Sequence, residues 1–331
     1  MVDAPENEEA SRSSRPPARS KSGLWRWGKN LLTIVFLALV GWLLISHARE
    51  VDWSEVKQAL DSYTWVHIAA GVLLALSTYI AYSGYDVLAR YMIGHRIPVP
   101  TTMTIAYICC AFTLNLGALI GSLGFRYRLY SQYGVSKGNI ARIVGILITT
   151  NWLGYIALAG VVFVSGAVVV PNSWEIGALG LRILGGVFLA LVVSYLLLSL
   201  FSPKRTLEIR GQTITLPSIK IAGFQLVLSC SHWALMAAVI YSFLYTEIGY
   251  FPLLGVLLIS AIAGIIAHVP GALGVLEAVF IALLGSEINP AVLVAALIAY
   301  RVVFYLLPLV IAGAAYLVIE MVPRKSEPAE A

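Results

Sequence analysis

Charge is scarce in this 331-residue chain. Only 12% of its residues are Asp, Glu, Lys or Arg, and 59% are apolar. A soluble domain carries about 25% charged and about 45–50% apolar residues. The surplus must face lipid, so the composition predicts a polytopic membrane protein. Cysteine is also scarce. Cys109, Cys110 and Cys230 lie inside apolar runs and form no Cys-x-x-Cys pair, which argues against a disulfide framework or a zinc site. No basic block interleaved with aromatics occurs outside the N-terminal tail, so nucleic acid is not an expected partner; a net charge of +5 suits an anionic membrane surface. Catalytic signatures are missing too, with no Gly-x-Ser-x-Gly, His-Glu-x-x-His or P-loop. The expectation is a protein that is not an enzyme and uses no cofactor or metal.

What is present is a series of apolar runs. A spanning helix needs about 20 mostly apolar residues to cross roughly 30 Å. The runs at 65–88, 140–167, 176–201, 218–245 and 288–320 qualify, and 30–46 is marginal but flanked by Trp25, Trp27 and Trp42. These give six full spans. The first of them reads as an anchor that stays in the chain, since no small-residue cleavage site follows it. Residues 1–29 form a basic tail, polar enough to be disordered, and 323–331 a second tail. Two further regions, 101–130 and 251–286, are pairs of short apolar halves around Gly-rich centres.

Lys and Arg mark cytoplasmic loops. The N-terminal tail and the loop 89–100 are basic, whereas 47–64 carries Glu50, Asp52, Glu55 and Asp61. If 101–130 crossed the membrane once, the basic loops 126–137 and 203–211 would lie outside and 169–177 inside. If it enters and leaves on the cytoplasmic face, all three loops fall correctly. Its halves, Thr101–Leu114 and Leu116–Leu129, are too short to cross, so a re-entrant hairpin is predicted. The stretch "IIAHVPGALGVLEAVF" (265–280) repeats the pattern from the other side, because Pro270 cannot continue a helix and such backbone needs a protein or watery surrounding at membrane depth.

The order of elements then repeats. Residues 65–167 read span, hairpin, span, and 218–320 read the same with opposite orientation. The tips "NLGALIGSLGFR" (115–126) and "HVPGALGVLE" (268–277) share a Gly-rich pattern. Inverted repeats with interrupted segments are common among transporters. Between the units, "TLEIRGQTITLP" (206–217) alternates around Arg210–Gly211 and predicts a small cytoplasmic β-hairpin. The fold expectation is all-α, with six spans, two re-entrant hairpins and that β-hairpin.

A charge at a helix centre costs about 2.5–3.5 kcal/mol on insertion scales, so charges inside the runs call for a role. Glu277 and Arg301 are the clearest, and Arg126 and Arg128 close the first hairpin. Asn115, His232 and His268 are further polar candidates. Two readings of Glu277 and Arg301 stay open: an ion pair that fastens the last span to the second hairpin, or a polar cavity that receives a lipid headgroup. For His232 a helix–helix hydrogen bond is expected.

The segments "NLGALIGSLGFRYRLYSQYGVS" (115–136), "HVPGALGVLEAVF" (268–280) and "AYRVVFYLLPL" (299–309) resemble the transmembrane region of lysylphosphatidylglycerol synthase/flippase proteins. That region forms part of the multiple peptide resistance factor and also occurs alone in bacterial inner-membrane proteins. The resemblance covers about 30–320. It implies movement of a phospholipid between leaflets, with aminoacylated phosphatidylglycerol as the known cargo. No aminoacyltransferase domain follows Pro323, so lysyl-lipid synthesis is not expected and the cargo is open. Many relatives also place Gly-Glu before the arginine of the first hairpin, where this chain reads "IGSLGFR".

The resulting expectation is a lipid transporter of the bacterial inner membrane with both termini cytoplasmic. Arg126, Arg128 and Arg301 would attract a lipid phosphate, Glu277 would balance charge or bind a cationic headgroup, and Tyr300 and Tyr305 would offer hydroxyls. Asn115 and His268 would line the same site. Gly117, Gly121, Pro270, Gly271 and Gly274 would shape the hairpin tips. Expected partners are membrane phospholipids, with a lipid-modifying enzyme and a second copy of the chain as further candidates. The alternative is a scaffold or accessory subunit for a lipid-modifying enzyme that moves nothing itself. An embedded lipid-linked transferase is disfavoured by the lack of a donor-binding motif.

Overall fold

The computed structural model describes residues 53–168, 177–202, 206–209, 212–244, 247–267 and 272–321. The expected first span at 30–46, both tails, and the tip residues His268, Pro270 and Gly271 lie outside the described residues.

The elements follow the apolar runs. A short amphipathic helix, α1 (Trp53–Asp61), precedes the long α2 (Trp65–Ile93). Thr64 starts α2 by donating its backbone N–H to His67 Nδ1 at 3.2 Å. Gly94 ends it, in the left-handed conformation (φ +80°) that favours glycine. Next come α3 (Val99–Leu116), a π-helical stretch π1 (Ala118–Gly124) and α4 (Phe125–Ser131). The long α5 (Lys137–Ser165) starts where Ser136 Oγ accepts the Asn139 N–H. After α6 (Ala178–Phe201), strands β1 (Thr206–Ile209) and β2 (Gln212–Thr215) pair antiparallel, as the alternating pattern there predicts. The second half contains α7 (Ile219–Leu244), α8 (Tyr250–Ala267), α9 (Val275–Leu284) and a continuous final helix. That helix is α10 (Pro290–Tyr300), π2 (Arg301–Leu306) and α11 (Leu307–Met321).

Seven of these helices are long and apolar enough to cross a membrane. Five are the expected full spans that fall within the described residues. The other two, α3 and α8, are the first arms of the two hairpins, and each has 18 residues. This corrects the expectation of two equally short halves. At about 1.5 Å per residue an 18-residue arm reaches about 27 Å, whereas the ten residues of α9 reach about 15 Å. The hairpins have one long and one short arm. The lipid-facing sides are apolar, with Leu73, Ile80, Leu179, Leu191, Leu197 and Val310 exposed, as expected for helices whose solvent is hydrocarbon.

Each hairpin folds back at a glycine-rich tip. In the first, hairpin A, a Cβ placed on Gly121 would overlap the Phe112–Thr113 backbone of α3. The rings of Phe112 and Phe125 stack at 4.2 Å across the two arms. The loop before α3 and the loop after α4 line one cavity (His95–Pro98 and Tyr133–Ser136), so hairpin A begins and ends on the same face. In hairpin B, a Cβ on Gly264 of α8 would lie 2.8 Å from Ala272 Cβ, in the turn before α9.

The two halves pack reciprocally. Their first helices, α2 and α7, run antiparallel: Gly71 lies against Phe243 and Gly84 against Leu228. The His232 ring nitrogen Nδ1 sits 3.4 Å from Thr78 O between the same helices. The long arm of hairpin A packs on the last helix of the second half, through Tyr107 and Pro308. The long arm of hairpin B packs on the last helix of the first half, through Tyr155 and Leu258. Exchanging the two halves maps one set of contacts onto the other, the pattern an inverted two-fold repeat produces. A further polar link, from Tyr195 through Gln225 to Thr150 (2.6 and 2.9 Å), ties α6, α7 and α5 together.

Candidate functional site

The site centres on a break in the last helix. Over Arg301–Leu306 the backbone widens to the π form, and the Leu307 N–H reaches back five residues to Val302 O. Pro308 then has no N–H to give. The first half supplies side-chain donors to carbonyls of this stretch and of the turn that follows it. Tyr79 Oη donates to Phe304 O at 3.1 Å, Asn115 Nδ2 to Tyr305 O at 3.3 Å, and Tyr107 Oη to Pro308 O at 3.3 Å. Buried backbone groups are almost always paired, and here three side chains from the other half do it. π-helical turns occur often at functional sites.

Arg301 opens this broken stretch and reaches to the tip of hairpin B. Its Nε donates to Glu277 Oε1 at 2.6 Å and its Nη2 to Glu277 Oε2 at 3.1 Å. Nη2 also donates to Ala272 O at 3.2 Å, and the guanidinium lies 5.0 Å from the Tyr305 ring centre. Glu277 Oε2 meanwhile accepts the Gly274 N–H at 2.9 Å, capping α9. Ala272 holds φ +47°, a conformation costly for a residue with a Cβ, and Gly274 holds φ +78°. The Arg301 side chain therefore clasps a strained turn. The pair keeps 16% and 20% exposure. The residues expected to pair do pair, side-on and bidentate.

Hairpin A carries a second clasp, which the sequence reading missed. Asp86 of α2 accepts from Arg126 Nε at 3.2 Å and Nη2 at 3.0 Å, and neither side chain has any exposed surface. Tyr130 Oη donates to Asp86 Oδ1 at 2.9 Å. Arg126 Nη1 donates to Ser122 Oγ at 2.7 Å and Nη2 to Tyr82 Oη at 3.3 Å. Arg126 thus directs its donors to protein groups. The signal for Asp86 was its place inside a long apolar run, two residues before the end of 65–88.

The other expected residues separate. Arg128 lies 57% exposed on the face where hairpin A begins and ends, donating to Glu320 Oε1 at 2.6 Å, away from Arg301. Tyr300 and Tyr305 are both buried; the Tyr300 ring stacks on Phe304. Asn115 and Gly117 sit at the tip of hairpin A beside the broken stretch, so both tips meet the last helix at 301–308. Among the described residues no cluster of three His, Cys, Asp or Glu is placed to hold a metal.

Comparison with known proteins agrees with this architecture. The family model described as the lysylphosphatidylglycerol synthase TM region matches residues 30–312. The inner membrane protein YbhN of Escherichia coli K12 is 43% identical over 302 residues, covering 91% of this chain and 95% of that protein. A Synechocystis protein, slr0712, is 29% identical over 80% of this chain and 83% of its own length. The phosphatidylglycerol lysyltransferase of Staphylococcus haemolyticus is 23% identical over 84% of this chain, but the match covers 32% of the lysyltransferase.

Proposed function

The chain belongs to the lysylphosphatidylglycerol synthase transmembrane-region family, and from that premise we propose that it moves a phospholipid between the leaflets of the bacterial inner membrane. The observation that carries this reading is the partly exposed Glu277–Arg301 pair at a strained tip, on a helix whose backbone is already broken. Its counterpart Asp86–Arg126 is sealed and fully donated. A sealed pair fastens; a pair with exposed edges can exchange partners. In this reading Arg301 releases Glu277 to take the lipid phosphate, and Glu277 balances the charge or takes a cationic headgroup such as an aminoacyl amine. The acyl chains stay in the bilayer. Arg128 collects headgroups at the basic face, and Arg126 holds hairpin A in place until it moves.

The orientation belongs to the same proposal. The face bearing Arg96, Arg128 and Lys137 is cytoplasmic, the face bearing Glu55, Glu247 and Glu287 is outside, and both hairpins are re-entrant. The YbhN relative, named as an inner membrane protein, supports the location. In this reading the protein is a transporter and not an enzyme.

The test is the purified chain in vesicles whose phospholipids carry a fluorophore, with a membrane-impermeant quencher added outside. Movement by the chain alone, seen as quenching beyond the outer leaflet, supports transport. Movement seen only when a lipid-modifying enzyme is co-reconstituted would favour the scaffold role.

A further inference from the structure

On the face where hairpin A begins and ends, the loops flanking it enclose a cavity of about 430 Å³ lined by His95, Arg96, Tyr133, Ser136 and Asn139, with Ile97 and Pro98 on one wall. We propose that this cavity is a binding site for a phosphate-type anion, separate from Arg301 and Glu277. The proposal does not depend on lipid movement.

Three observations meet there. The first is charge. Arg96 lines the cavity and is exposed. Arg90 stands behind it, its Nε donating to Ile97 O at 2.5 Å, and Lys137 opens α5. The carboxylate whose charge reaches His95 is Asp86, and its oxygens already accept from Arg126 and Tyr130. The field at the cavity is therefore positive.

The second is the start of the 29-residue helix α5. Its first backbone N–H groups have no intrahelical acceptor, and among the described residues only that of Asn139 is taken up, by Ser136 Oγ. A Cβ on Gly138 would meet nothing within 4 Å, so an ion can approach this backbone. Helix N-termini favour anions through both the free N–H groups and the dipole.

The third is His95. Both ring nitrogens are buried and have no hydrogen-bond partner among the described residues, while the ring packs edge-on against Tyr130 at 5.6 Å. A ring nitrogen buried without a partner is unfavourable. A small turn of the ring into the cavity it lines gives one nitrogen an anion to which it can donate. Burial first, and the Arg90 charge second, hold His95 below its ordinary range; a bound anion opposes both.

The experiment follows the His95 imidazole of the full ¹⁵N-histidine-labelled chain by heteronuclear NMR, with His95→Gln identifying its resonance. One arm adds inorganic phosphate to the chain in neutral maltoside micelles. The other compares nanodiscs of phosphatidylcholine with and without phosphatidic acid. His95 should titrate at higher pH with the anion present, and Arg96→Gln, an exposed change that leaves the fold intact, should weaken the effect about tenfold. A response to phosphate alone identifies a soluble anion, a response to phosphatidic acid alone a lipid headgroup, and a response to both a site open to either. No response in either arm, or one that Arg96→Gln leaves unchanged, overturns the proposal.

Discussion

The Arg126 guanidinium meets the Asp86 carboxylate side-on, at 3.2 and 3.0 Å, with no exposed surface on either side chain. Two charges in so dry a place are tolerable only as a pair, and Tyr130, Tyr82 and Ser122 complete their hydrogen bonds. The pair fixes the return arm of hairpin A to α2, the first helix of its own half. Glu277 and Arg301 do the corresponding work in the second half, with the acid on the hairpin and the base on the last helix. The two halves thus carry opposite signs at their hairpins.

Breaking the sealed pair should be costly. Asp86→Asn leaves Arg126 charged and buried, a change worth about 3–5 kcal/mol in soluble proteins, less in a membrane where water and snorkelling relieve it. Arg126→Gln should be similarly damaging. Asp86→Asn combined with Arg126→Gln should recover much of the loss, because two amides can hydrogen-bond to each other. Thermal unfolding of the four proteins in one detergent measures this; a double variant as unstable as the sum of the singles would show that the pair is not acting as a unit.

Gly121 sets how closely the arms of hairpin A approach. Since a Cβ there would overlap the Phe112–Thr113 backbone, Gly121→Ala must separate the arms or strain them, at a cost of about 1–3 kcal/mol. Gly138→Ala, where nothing lies within 4 Å, should be close to neutral. Comparing the midpoints of thermal unfolding checks both, and equal midpoints would contradict the close approach.

The fold was largely legible because its signals are lengths and signs: long apolar runs, basic against acidic loops, and glycine at two tips. The same signals misjudged the arms, because Pro100 and Asn115 looked like the limits of the first one, whereas α3 starts at Val99 with a proline in its first turn and runs on to Leu116. Glu277 and Arg301 stood out against apolar neighbours, as charges of opposite sign in two apolar segments. Asp86 escaped notice because it lies near a basic loop, in "SGYDVLARY", where a carboxylate looks interfacial; only the folding back of hairpin A brings Arg126 to it. The donors Tyr79 and Tyr107 were invisible for a different reason. Nothing in a sequence marks carbonyls in and just after a π turn as acceptors for side chains more than 200 residues away.

Those donors make a separate prediction. Tyr79→Phe removes the hydroxyl that serves Phe304 O and keeps the ring packed at a tilt against Tyr107 and Phe304. It should lower stability by about 1–3 kcal/mol, the cost of leaving a buried carbonyl unpaired. Tyr91→Phe, on an exposed ring of the same helix, is the control. Unfolding in detergent that does not distinguish the two variants would mean that Phe304 O finds another donor.

Orientation is checked by single cysteines in a chain whose native cysteines are replaced by Ala or Ser. A cysteine at Ser136 should react with an impermeant maleimide only after the membrane is opened, and cysteines at Ser54 and Glu287 should react in intact cells. Labelling of position 136 from outside would place the loops flanking hairpin A on the wrong face and remove the inward orientation proposed for it.

The last prediction separates fastening from function at the exposed clasp. Glu277→Gln and Arg301→Gln each leave one charge without its partner, and Arg301→Gln also withdraws the donor from Ala272 O at the strained turn. Both should lower folded yield and thermal stability, by less than the variants of Asp86 and Arg126, because 16–20% exposure lets water reach the orphaned charge. Combining Glu277→Gln with Arg301→Gln leaves two neutral amides that can still bridge tip and helix, so stability should return. Lipid movement should not, since neither a cation for phosphate nor a carboxylate for an amine remains. Yield, unfolding temperature and leaflet exchange are measured for wild type, both singles and the double. A double variant that is stable and moves lipid at the wild-type rate would leave Glu277 and Arg301 as a fastener only, and the headgroup would have to be met elsewhere.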